Sequence, residues 1–169
     1  MKEKYLYKCF ALVLLCFVID SVISFFMPYN HLKVSISIVP YCGLMMFSLL
    51  VKTIDMPERY FFGAVCGIYY SIVYSHSLVI YILVYTLIAF IRSYIVKMDK
   101  FSFVESLLFS LSTIVLCEGM VYWLMWITNS THYLILNFVI FRLLPTLCFN
   151  LIISVFVYWI FMNIKIEVK

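Results

Sequence analysis

The sequence predicts an all-α integral membrane protein of six transmembrane helices. Three observations carry that expectation. Of the 169 residues, 66% are hydrophobic and 12% are charged, against ~25% charged in a water-soluble domain. The apolar residues fall into six runs broken by charges or turn residues, of the order of the ~20 residues that cross a bilayer as a helix. The basic residues cluster on one side of the alternation those runs create. A mean hydropathy of +1.11 leaves too little polar surface for a disordered chain, a nucleic-acid-binding arm or an ordinary cytosolic enzyme. The period-2 alternation of a membrane barrel is missing.

The first run, 9–27, follows Lys2, Lys4 and Lys8 as a signal peptide would. It is long for such a segment, contains Asp20 and lacks a small-x-small cleavage site, so it is expected to remain as the first span. Pro28-Tyr29-Asn30-His31 separates it from the second run, 34–51. The segment Lys52 to Arg59, with Pro57, precedes the third run, 60–74, which rises only ~22 Å as a helix and can be a tilted span or a re-entrant one. Ser75-His76-Ser77 leads into the fourth, 78–96; Lys97 to Phe101 into the fifth, 103–127; and Thr128 to His132 into the sixth, 138–164. With six crossings and a cytoplasmic N-terminus, ten of the twelve basic residues are inside, only Lys33 is in an outer loop and Arg142 lies within a span. Both termini are then cytoplasmic, and the net charge of +4 reflects topology and attraction to anionic lipid. Nothing marks a second domain.

Ionisable groups inside a span cost ~2.5–3.5 kcal/mol on insertion scales, so each needs a partner or a purpose. Asp20, Glu118 and Arg142 qualify, and helix rise puts all of them in one leaflet. Arg142 is expected to pair with Glu118, with Asp20 or with both. A buried cluster that fixes helix register is favoured over a proton or substrate pathway. Glu105 and Arg92, near the cytoplasmic helix ends, are expected to reach solvent. Pro145 deprives the Phe141 carbonyl of its helical donor, so a neighbour must cover it. Asn150, near the bilayer midplane, is expected to make an interhelical hydrogen bond.

Gly63 and Gly67 form a G-x-x-x-G that lets another backbone approach. Ser102, Ser106, Ser110, Thr113 and Cys117 share one face of the fifth helix. Both features predict tight helix contacts, within the chain or with a partner. The six cysteines lie in apolar runs without a C-x-x-C and read as core residues. His31, His76 and His132 fall in outer loops with no ligand spacing, so no metal or other cofactor is expected. Asn129-Ser130-Thr131 matches a glycosylation acceptor pattern of low specificity. No nucleophile elbow, phosphate loop or catalytic carboxylate pair appears, so no enzyme activity is expected.

Two windows resemble a known family. Phe62-Gly63-Ala64-Val65-Cys66-Gly67-Ile68-Tyr69-Tyr70-Ser71-Ile72-Val73-Tyr74 is similar to the third-helix G-x-x-x-G-x-x-Y-D, with further aromatics, of MreD rod-shape-determining membrane proteins. Arg142-Leu143-Leu144-Pro145-Thr146-Leu147-Cys148-Phe149-Asn150 is similar to their last-helix R-L-x-P-T-x-x-x-N. Ser71 stands where the family usually has Asp, and Val79 where a Gly often follows the hairpin; Ser71 can hydrogen-bond but carries no charge. The resemblance implies positions of interest at Gly63, Gly67, Tyr70, Arg142, Pro145 and Asn150. It also implies a bundle like the substrate-capturing subunits of energy-coupling-factor transporters. The function it implies is a non-catalytic part of the bacterial cell-elongation complex in the plasma membrane. That part contacts an MreC-like single-span protein and, through it, an MreB-like cytoskeleton and peptidoglycan synthases. The alternative is a vitamin-capturing subunit itself, against which stands Leu15 four residues after Ala11, where such subunits dock through A-x-x-x-A. An ion or lipid conduit is a third reading, which needs Asp20, Glu118 and Arg142 on a water-filled path.

Overall fold

The computed structural model describes residues 2–26, 36–74, 78–95, 102–131 and 134–163. About 90% of these are helical and none is strand. Helices α1 (Lys2–Phe26), α2 (Cys42–Leu50), α3 (Met56–Tyr74), α4 (Leu78–Ile95) and α5 (Phe103–Ile127) precede a last helix, Ile135–Asn163, which carries a π-helical turn at Val139–Leu143. The stretches Tyr5–Phe26, Phe103–Ile127 and Ile135–Asn163 are long and apolar enough to cross a membrane, while Cys42–Thr53 and Val79–Arg92 are shorter apolar helices. His31, His76 and His132 lie outside the described residues.

The run 34–51, expected as one helix, is the main departure. Residues 36–40 are not helical; α2 starts at Cys42 and tightens into a 3-10 turn at Val51–Thr53. Pro40 explains the break, because its ring disfavours the helical conformation of Val39 and it has no N–H to donate. Upstream, β-branched Ile36, Ile38 and Val39 resist helix formation further. The third helix is longer than expected, beginning at Met56.

α3 and α4 form a close hairpin, and the G-x-x-x-G is its seam. A Cβ on Gly67 would lie 2.7 Å from Ile82 Cα and 2.8 Å from the Tyr81 carbonyl oxygen, and one on Gly63 3.2 Å from the Tyr85 carbonyl oxygen. These obstacles are backbone, so no rotamer change relieves them. Gly67→Ala is therefore expected to destabilise by about 1–3 kcal/mol. Gly119, in α5, has nothing within 4 Å of such a Cβ, and Gly119→Ala is expected to stabilise by about 0.4–1 kcal/mol. Unfolding by anionic detergent titrated into mixed micelles measures both, and equal effects would refute the packing argument.

α1 also packs closely on α2, since a Cβ on Gly43 would run into the ring of Phe17, here a side chain and not backbone. Phe17, Tyr70 and Tyr85 form an aromatic cluster in which Tyr70 also contacts Tyr81, at 4.6 Å between centroids. α5 opens with a capping box in which Ser102 Oγ accepts from the Glu105 N–H and Glu105 accepts from the Ser102 N–H. Its small polar face, Ser106, Ser110, Thr113 and Cys117, is buried in the fold.

Two sequence expectations are corrected by the packing. Arg92 does not reach solvent: it is 1% exposed, with its guanidinium carbon 3.7 Å from the centre of the Phe109 ring. The stacking of α4 on α5 encloses it, and the aromatic face supplies a cation–π contact. Cys148 is exposed while the other five cysteines are buried, because it lies on the opposite side of the last helix from Thr146 and Asn150.

Candidate functional site

The polar residues of the last helix serve the backbone of the non-helical segment. The Phe141 carbonyl, left without a donor by Pro145, accepts from the Ser37 N–H at 2.9 Å. Thr146 Oγ1 accepts from the Val39 N–H at 3.3 Å and donates to the Ser37 carbonyl at 3.4 Å. Asn150 Oδ1 accepts from the Tyr41 N–H at 2.8 Å, and its Nδ2 donates to the Val39 carbonyl at 2.7 Å and to the Thr146 carbonyl at 2.8 Å.

The spacing makes this ladder possible. Residues 37, 39 and 41 alternate as in an extended chain, advancing ~6.7 Å per pair of residues. Residues 141, 146 and 150 advance by five and four helical residues, ~7.5 and ~6 Å. The two rises match, and the segment's missing internal hydrogen bonds are replaced by bonds to its neighbour.

Tyr41 joins this ladder to a second set of contacts. As the residue before α2 it offers no side-chain cap to the helix. The cap comes from α1, where Asp20, 1% exposed, accepts the Cys42 N–H on Oδ1 and the Gly43 N–H on Oδ2, each at 2.8 Å. A carboxylate facing the free N–H groups of a helix start is electrostatically favoured. The Tyr41 hydroxyl instead donates to Glu118 Oε1 at 2.6 Å.

Glu118 is paired with Arg142, whose Nε donates to Oε2 at 2.8 Å and Nη2 to Oε1 at 3.2 Å. The structure thus brings Glu118, Arg142 and Asn150 together around Tyr41, whereas Asp20 belongs to the start of α2 and makes no ion pair with Arg142 among the described residues. Gly63, Gly67, Tyr70, Ser71, Ser106 and Ser110 are buried within the chain, and Pro145 is half-buried. The small-residue faces are therefore occupied by internal helix contacts.

Beside the ion pair lies a cavity of about 400 Å³ between α5 and the last helix, within the ~300–1,000 Å³ usual for ligand pockets. Its lining includes the polar Arg142, Glu118 and Ser37 and the apolar or aromatic Tyr122, Met125 and Phe138. The rings of Tyr122 and Phe138 stack at 4.4 Å between centroids. Among the described residues no group of three or more His, Cys, Asp and Glu is placed to hold a metal.

Sequence reasoning passed over Ser37, Val39 and Tyr41. Pro40 inside an apolar run was the available signal for a broken helix. Nothing about Tyr41 as a residue type distinguished it among 14 tyrosines. Compared with protein-family models, curated proteins and solved structures, the chain finds no match.

Proposed function

We propose that this chain is a non-catalytic membrane scaffold of the MreD kind. In this reading it crosses the bacterial plasma membrane six times with both termini in the cytoplasm, and contacts an MreC-like single-span partner of the cell-elongation complex through its outer helix faces. The observation that carries the reading is the fate of the costly polar groups. Asp20, Glu118, Thr146 and Asn150 are spent on holding α2 and the segment before it in place. Such a frame fixes the relative placement of helices, which is what a scaffold needs. The six-span topology draws support from the broken second element. Six non-helical residues, 36–41, span ~20 Å if extended, and the twelve residues of Cys42–Thr53 rise ~18 Å. Together these exceed the ~30 Å hydrocarbon thickness.

The test is depletion of the protein in a rod-shaped host. Cells should round up and lose the organised pattern of wall synthesis, and re-expression should restore both; persistence of normal rods overturns the proposal. The energy-coupling-factor reading, capture of a small molecule, is favoured by one observation, the cavity beside Arg142. Calorimetry on purified protein separates the two, since a capturing subunit binds its small molecule tightly and a scaffold does not.

A further inference from the structure

We infer that the cavity between α5 and the last helix binds an amphiphilic oxyanion, a carboxylate or phosphate carried on an apolar body. The inference goes beyond the scaffold reading and holds whether or not that reading stands; it also names the ligand chemistry that a capture role would use. Around the ion pair the lining is neutral by composition but presents donors. Glu118 is 1% exposed and both its oxygens are occupied, Oε2 by Arg142 and Oε1 by Arg142 and Tyr41. The Arg142 side chain lines the cavity and is 34% exposed, so of the two charged groups it is the one that a ligand can meet.

Glu118 takes two of the five guanidinium N–H donors, and the rest form a planar fork suited to two oxygens of one anion. Glu118 also fixes the plane of that fork, so little side-chain freedom is lost on binding. The Asn137 amide and the Ser130 hydroxyl add polar groups along the lining. Tyr122, Met125, Phe138 and Phe141 give the lining an apolar and largely aromatic part. It excludes a bare hydrated ion as the best occupant and favours a ligand with an apolar body. Two sources share this chemistry, the headgroup region of an anionic phospholipid and a soluble aromatic acid.

The test uses the full chain purified in neutral detergent and placed in phosphatidylcholine nanodiscs with or without phosphatidylglycerol. Native mass spectrometry reads retained phosphatidylglycerol; calorimetry reads benzoate and phenyl phosphate. Arg142→Lys keeps a positive charge for Glu118 but removes the fork, and Asn137→Leu narrows the cavity without touching the ion pair. Retention of phosphatidylglycerol by the wild type that falls in both variants establishes the site with a lipid occupant. Binding of either aromatic acid, weakened roughly tenfold or more in both variants, establishes it with a soluble one. Absence of all binding, or binding undiminished in either variant, overturns the inference. If Arg142→Lys melts early, Asn137→Leu alone decides.

Discussion

Arg142→Leu is expected to destabilise the protein by about 3–5 kcal/mol, the cost of leaving one member of a buried ion pair without its counter-charge. Glu118 is almost fully enclosed and receives Arg142 through two bonds. With the guanidinium gone, its carboxylate keeps, among the described residues, only the Tyr41 hydroxyl as a hydrogen-bond donor. The double variant Glu118→Gln with Arg142→Leu should recover much of the loss, because a neutral amide still accepts from Tyr41 and no charge remains buried. Anionic-detergent unfolding of the four proteins in a double-mutant cycle measures the coupling. If the double variant is no more stable than Arg142→Leu, the loss comes from side-chain packing and the electrostatic account is wrong.

Asn150→Leu is expected to cost about 2–5 kcal/mol, since it strands the Tyr41 N–H and the Val39 carbonyl, each worth ~1–3 kcal/mol when buried without a partner. Side-chain hydrogen bonds between membrane helices average only ~0.6 kcal/mol, because alternative partners are available in the unfolded state in the membrane. Here the partners are backbone groups of a non-helical segment, which cannot fall back on a helical bond in place. Asn150→Asp keeps the acceptor for Tyr41 but loses the donor to Val39, and should also be destabilised. Amide exchange at Tyr41 should quicken in Asn150→Leu, and protection at wild-type level there would show that Asn150 is not what holds the segment.

The ion pair was legible because charge is costly in apolar surroundings and helix rise sets depth. Glu118 and Arg142 were the natural partners on both counts. The need to cover the Phe141 carbonyl was equally legible, being a local consequence of Pro145. The identity of the donor, Ser37, was not, because it comes from 104 residues away in a segment read as helix. Hydropathy records how apolar a run is and is blind to its conformation, so 34–51 looked uniform although Pro40 divides it. For the same reason Asp20 stayed an alternative partner of Arg142, its role at the start of α2 unread. Once α2 begins at Cys42, its free N–H groups are a nearer match for a carboxylate than a guanidinium shared with Glu118. Arg92 was assigned to solvent from its position near a helix end, and only the packing of Phe109 against it shows otherwise.

The ladder along the last helix also constrains the order in which the chain can be completed. The bonds that hold Val39 and Tyr41 join residues 107 to 111 positions apart, whereas α3 and α4 are neighbours in sequence and can close their hairpin at once. Contacts between distant residues form late, since the intervening chain must first be made and its closure entropy overcome. A ribosome that has released α5 has therefore produced a segment whose backbone still lacks its partners. Residues 36–41 wait in the half-made protein until Asn150 emerges.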